Sequence, residues 1–199
     1  MLRTLTAFLL LCVPFGSTYG QGTFIYDQQS ADETTGGGAS VAIQDNQPLG
    51  QSFTPTNSAV GFIRLALRDY SINGTGATLY VNLRADSITG PILASTDPVF
   101  MPDGFIGYPN FFFPTPVSVT PGTTYYFDPV ISPDSDLWAI RGYNHNYPGG
   151  IAYGHGLPSP GQDYWFREGI IVPEPSSALL VVFGAGLMEV CFRINAVRR

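Results

Sequence analysis

Through the middle of the chain, apolar and polar residues alternate with a period of two, the spacing of a strand with one buried face. Over residues 61–68, Ile63, Leu65 and Leu67 fall on one face and Arg64, Ala66 and Arg68 on the other. Residues 78–84 repeat the pattern, with Leu79, Val81 and Leu83 opposed to Thr78, Tyr80, Asn82 and Arg84. Between them lies Asn73-Gly74-Thr75-Gly76, which tolerates positive φ. The two runs are therefore expected to pair as a hairpin, aliphatic face in the core and arginine face in water. No part of the middle shows the three-and-four spacing of an amphipathic helix.

Shorter strands are expected at 51–54, 92–95, 111–113, 117–119, 124–128, 137–141, 151–153 and 163–167. Turn residues separate them: 86–91, Pro102-Asp103-Gly104, Pro121-Gly122 and Tyr147-Pro148-Gly149-Gly150. Many short strands at this spacing predict an all-β fold, a two-sheet antiparallel β-sandwich of jelly-roll type. An immunoglobulin-like sandwich is the alternative, but its cysteine pair and intervening Trp are missing. Residues 30–40, with Gly36-Gly37-Gly38, read as a flexible loop without the strand–glycine–helix setting of a nucleotide site. There is no internal repeat at a solenoid or propeller period.

Both ends differ from this middle. Residues 1–20 read as a secretory signal helix: Arg3, an apolar stretch too short to span a membrane, then Thr18 and Gly20 as small residues before a cut at Gln21. A lipoprotein signal would need a small residue before Cys12, where Leu11 stands. At the other end Pro173-Glu174-Pro175-Ser176-Ser177 cannot continue a sheet, because two prolines remove ladder donors. An apolar run over 178–188 follows, then Glu189, Val190-Cys191-Phe192 and the arginines Arg193, Arg198 and Arg199. As a helix, residues 178–192 would measure about 22 Å, somewhat short of a ~30 Å hydrocarbon layer. Arginine at its end would hold the C-terminus on the cytoplasmic side.

The body between, residues 21–172, is one domain's length. It carries thirteen Asp and Glu against five arginines, a formal charge of −8, and the chain has no lysine. Without a basic stripe, nucleic acid is excluded as a partner. Cys12 and Cys191 both lie in the terminal segments, so the body has neither disulfide nor thiol chemistry.

The sequence of Pro173-Glu174-Pro175, apolar run and arginines resembles the PEP-CTERM sorting signal of Gram-negative bacteria. The resemblance implies three segments: signal peptide 1–20, extracellular sandwich 21–172 and sorting tail 173–199. It implies that exosortase, a membrane-embedded transpeptidase, recognises Pro173, Glu174 and Pro175 and removes a transmembrane helix. The protein would sit transiently in the cytoplasmic membrane and then reach the outer surface or medium, commonly in exopolysaccharide-producing bacteria. Glu189 inside the apolar run and the dispersed arginines depart from the family's usual tail; a simple membrane anchor is the alternative. The segments Leu49-Gly50-Gln51-Ser52-Phe53-Thr54, Val119-Thr120-Pro121-Gly122-Thr123-Thr124-Tyr125-Tyr126-Phe127, Tyr147-Pro148-Gly149-Gly150 and Asp163-Tyr164-Trp165-Phe166-Arg167 together look like choice-of-anchor β-sandwich domains. That likeness implies fold and location and brings no catalytic residues.

Candidate chemistry in the body is thin. There is no Gly-x-Ser-x-Gly, and His145 and His155 match no standard metal-ligand spacing. Asp134 and Asp136 could supply oxygens to a structural calcium, although turn formation accounts for the same residues. No other cofactor is indicated. Tyr143, Tyr147, Tyr153 and Trp165 lie among Asn, Gln and Asp side chains, as sugar-contacting rings would; core packing is the stronger reading for Trp138 and Trp165. The expectation is a non-enzymatic, surface-displayed protein associated with extracellular polysaccharide. The alternatives are a carbohydrate-binding module with a specific sugar site, and a secreted glycoside hydrolase pairing Asp134 or Asp136 with Asp163.

Overall fold

The computed structural model describes residues 22–34, 38–133, 135–143 and 147–172, the Tyr143 side chain excepted. The expected signal peptide, the Pro-Glu-Pro motif and the tail arginines lie outside these residues, as do Asp134 and His145. Among the described residues no helix is long and apolar enough to cross a membrane.

The strands are β1 (Thr23–Gln29), β2 (Ser40–Ala42), β3 (Gly50–Phe53), β4 (Ala59–Leu65), β5 (Leu67–Asp69), β6 (Ala77–Arg84), β7 (Ile92–Ser95) and β8 (Val99–Met101). They continue as β9 (Ile106–Gly107), β10 (Asn110–Ser118), β11 (Tyr125–Ile131), β12 (Trp138–Tyr143), β13 (Ala152–Gly154), β14 (Leu157–Ser159), β15 (Asp163–Tyr164) and β16 (Phe166–Val172). One 3-10 turn, Gln44–Asn46, is the only helical element described. The strands form three antiparallel sheets in a β-sandwich-like arrangement, ordered β1-β16-β4-β10, β14-β13-β3-β11-β6-β7 and β15-β12-β5-β9. In addition β8 pairs with β6 and β2 with β12.

The third sheet arises from two one-residue interruptions. β4 passes into β5 at Ala66, and β15 into β16 at Trp165. There the Ala66 amide donates to the Trp165 carbonyl (3.4 Å), while the Arg141 amide donates to the Ala66 carbonyl (2.9 Å). The Trp165 amide donates in turn to the Arg141 carbonyl (2.8 Å). β12 thus crosses the fork where the two strands part, pairing with β5 before Arg141 and with β15 after it. Every backbone group at the fork finds a partner, as a buried junction requires.

The alternating pattern places the core as expected. Ile63, Leu65, Leu67, Leu79, Val81 and Leu83 are all fully buried, in one cluster with Phe53, Phe111, Phe127, Trp138 and Phe166. The expected hairpin is not formed. β4 pairs with β16 and β10, β5 with β12 and β9, and β6 with β11, β7 and β8. The Asn73–Gly76 turn instead carries the chain between sheets, and Asp103 Oδ1 accepts from the amides of Asn73 and Gly74. β6 instead forms a hairpin with β7, whose turn carries a hydrogen bond from the Gly90 amide to the Ser87 carbonyl (2.9 Å). The arginine faces are not simply solvated either. Arg84 is half-buried against Asp128, and Phe62, on the same face as Arg64, is fully buried beneath aromatic rings.

Candidate functional site

Burial divides the four aromatic candidates. Trp165 is fully buried, with its ring 4.5 Å from that of Tyr108 and its indole N–H donating to the Asp32 carbonyl (3.0 Å). It has no face to offer a sugar. Tyr147 is buried edge-on against Phe166, at 5.2 Å. Its hydroxyl donates to Gln28 Oε1 (2.8 Å) and accepts from the Thr54 amide (3.4 Å), so it pins three segments together. Burial pushes that hydroxyl's pKa up to about 12 against the Thr54 hydrogen bond, with Glu168, Asp27 and Asp163 adding negative charge. Tyr153 is half-buried on β13, in edge contact with Tyr126 at 5.6 Å. Tyr143 contributes its backbone to the pairing with Asp163; its side chain lies outside the described residues. The four therefore do not make one sugar surface: Trp165 takes the core position that was its stronger reading, and Tyr147 is corrected to a core residue. Trp138, fully buried, packs as expected against Phe105.

An exposed aromatic surface lies elsewhere, on the outer face of the first sheet. The rings of Phe24 and Tyr26 on β1 stand 5.0 and 5.7 Å from that of Phe62, and Phe112 on β10 lies 6.0 Å from Phe24. Phe62 is fully covered, whereas Tyr26 and Phe112 keep 39% and 36% of their surface in solvent. Register explains the grouping: Tyr26 faces Gly169, Gly169 faces Phe62, and Phe62 faces Phe112. Arg167 lies over the Tyr26 ring at 4.8 Å, and Arg64 pairs with Glu33 at 2.7 Å and donates to Asn110 Oδ1. Sequence reasoning missed this face because it assigned no strand to residues 23–29. The alternation of Phe24 and Tyr26 with Thr23, Ile25 and Asp27 was the available signal.

A second cluster is acidic. Asp69 at the end of β5, Asp103 in the β8–β9 turn and Asp136 before β12 each bring a carboxylate oxygen within 4.8 Å of the others. Asp69 is 3% exposed and accepts from the amides of Ser71 (2.9 Å) and Gly104 (2.7 Å). Asp136 Oδ1 accepts from the Ser71 hydroxyl and the Leu137 amide, while its Oδ2 is buried with no hydrogen-bond partner. This all-oxygen set is the donor type that a hard cation such as calcium takes. Of the two calcium candidates in the sequence, Asp136 belongs here, and Asp134 lies outside the described residues. Asp69 and Asp103 escaped notice because only folding brings them beside it.

The acid proposed for a hydrolytic pair is committed to structure. Asp163, 2% exposed, accepts from Gln51 Nε2 and from the Tyr147 amide, each at 2.7 Å. The cavities that touch it are about 180 Å³ each, below the ~300–1,000 Å³ of ordinary small-molecule sites. His155 takes a positive φ of 52° in the β13–β14 turn, and its amide donates to the Asn46 carbonyl.

No family model, curated protein or solved structure matches this chain. The site must therefore be read from its own geometry.

Proposed function

We propose that this chain is an exported, non-enzymatic surface protein. Its sandwich, of jelly-roll type, is displayed through the exosortase-sorted tail at the outer surface of a Gram-negative cell. One observation carries the reading: Thr23 pairs with Val172 across β1 and β16. The chain enters and leaves the sheet at one pair of residues, so a leader before Thr23 and a tail after Val172 can be removed without taking a strand. Intact masses of the protein from cells with and without active exosortase test it. Loss of residues 1–20 and of the apolar tail only where exosortase is active supports the reading; an unchanged C-terminus in both sinks it.

The partner in this reading is extracellular polysaccharide, held on the outer face of the first sheet. Exposed rings such as Tyr26 and Phe112 can stack on the CH faces of sugars, with Arg167 and Glu33 alongside for hydroxyl groups. Binding on a glycan array that falls at least tenfold in Tyr26→Ala and Phe112→Ala supports this, and unchanged or absent binding rejects it. Among the described residues, the geometry at Asp69, Asp103 and Asp136 favours a structural calcium.

A further inference from the structure

The most unusual side chain in the domain is Glu168. It lies on β16 facing the core, opposite Ile63 of β4 and Gln28 of β1, and it is 0% exposed. No donor reaches either of its carboxyl oxygens at hydrogen-bond geometry. An ionised carboxylate so placed would be desolvated without compensation, which proteins avoid by keeping the group neutral.

The group that meets it is another acid. Asp27 is the extra residue of a bulge in β1, where the register with β16 shifts between Tyr26 and Gln28. Its carboxylate accepts from the amides of Thr56 (2.7 Å) and Asn57 (2.9 Å) and from the Thr56 hydroxyl. Burial alone would raise its pKa, but those donors outweigh it and keep Asp27 ionised below the usual carboxylate range. For Glu168, burial acts first and the Asp27 charge adds to it, pushing its pKa up to about 9. The nearby Gln28 amide, outside hydrogen-bond geometry, opposes this only in part.

Among the described residues, nothing else nearby neutralises a second charge. Tyr147, from the segment before β13, and Asp163 of β15 are themselves acidic groups. β4 presents Ile63. The two arginines on these strands belong to the other face, Arg167 over Tyr26 and Arg64 against Glu33.

We propose that Glu168 and Asp27 form a proton-held latch that fastens β1, the first strand, to β16. A neutral Glu168 carboxyl supplies the O–H donor that Asp27 can accept, so one proton joins the two strands. When base removes that proton to solvent, two carboxylates face each other in the interior with no cation between them. β1 is an edge strand whose only ladder among the described residues is with β16. An edge strand of this kind can open locally while the rest of the sandwich stays closed.

The test is hydrogen exchange of the full-length chain followed by mass spectrometry, comparing residues 23–29 with residues 79–83 in β6. After correction for the base dependence of exchange itself, opening of β1 should rise about tenfold per pH unit between the ordinary glutamate range and pH ~9, staying at every pH well ahead of β6, which opens only with the whole domain. Glu168→Gln, which keeps a donor without a titration, should flatten this dependence. Asp27→Asn should move its upper end to lower pH. Carbon-13 NMR of the wild-type Glu168 carboxyl reads the same equilibrium without any variant and should show a midpoint near 9. A midpoint near the ordinary 4.5, a pH-independent β1, or an unchanged profile in Glu168→Gln would overturn the latch.

Discussion

Arg84 reaches diagonally across the β6–β11 pair to Asp128, placing Nη2 at 2.8 Å and Nε at 3.0 Å from a single Oδ2. Asp128 is 3% exposed, and its second oxygen, Oδ1, has no partner. Burial holds the Asp128 pKa above its ordinary value, although the Arg84 guanidinium and the Asn82 amide pull against it. Arg84→Ala should destabilise the domain by roughly 3–5 kcal/mol, because it leaves a buried carboxylate uncompensated. The double variant Arg84→Met with Asp128→Leu should recover most of that loss. Urea unfolding of the three proteins measures it, and equal stability of Arg84→Ala and wild type would show that water already screens the pair.

How far this architecture can be read in the sequence depends on the distance over which each feature is decided. The faces of Ile63, Leu65, Leu67, Leu79, Val81 and Leu83 follow from period-two alternation alone, and all six are buried. Pairing does not follow, because Asn73-Gly74 signals a turn without saying which strands meet beyond it. Partners such as Thr23 and Val172 come from opposite ends of the domain, where no local signal operates. The candidate site failed for the same reason. Tyr147 sits in Gly- and Pro-rich surroundings that look exposed until Phe166 is folded onto it. The buried acids Asp128, Asp163 and Glu168 were illegible because a carboxylate in a strand reads as a marker of the solvated face.

The aromatic face depends on a glycine. Gly169 stands between Tyr26 and Phe62, and a Cβ there would lie 1.9 Å from the Ile25 carbonyl oxygen. That atom is backbone and cannot rotate away. Gly169→Ala should therefore push β1 off β16 and cost about 3 kcal/mol. Chemical denaturation gives the number. Fluorescence quenching of Tyr26 should rise in the same variant, and neither effect appears if the sheet relaxes around the methyl group.

Glu168 also gives the whole domain a pH dependence of defined sign. Its folded pKa, about 9, lies above the ordinary value of 4.5. Its share of the stability is thus fully present below the unfolded value and is lost as pH rises toward 9. At pH 7 the native state must hold a proton that the unfolded chain has released, a cost of about 3 kcal/mol. Glu168→Gln should therefore be more stable than wild type at pH 7 by up to that amount, with the gap closing near pH 4.5. Thermal melts of both proteins across this range decide it; a constant gap would mean that Glu168 titrates alike in both states.

The three carboxylates of Asp69, Asp103 and Asp136 should respond to calcium, because their oxygens lie within 4.8 Å and the ion pairs among the described residues go to Glu33 and Asp128 instead. Without a cation, like charges in this cluster repel. With one, the native state gains binding energy that the unfolded chain lacks, about 2.7 kcal/mol at a hundredfold excess over the dissociation constant. Calcium should raise the melting temperature by several degrees and EDTA should reverse it. Asp103→Asn is the discriminating variant: its side-chain oxygen can still accept from the Asn73 and Gly74 amides, while one ligand charge is gone. It should abolish the calcium response and leave the metal-free protein as stable as wild type or slightly more so. Trp138 pairs directly with Asp69, so terbium bound at the cluster should emit on tryptophan excitation, and this signal should vanish in Asp103→Asn. A melting temperature indifferent to calcium, with no sensitised emission, would reduce the three aspartates to turn-forming residues.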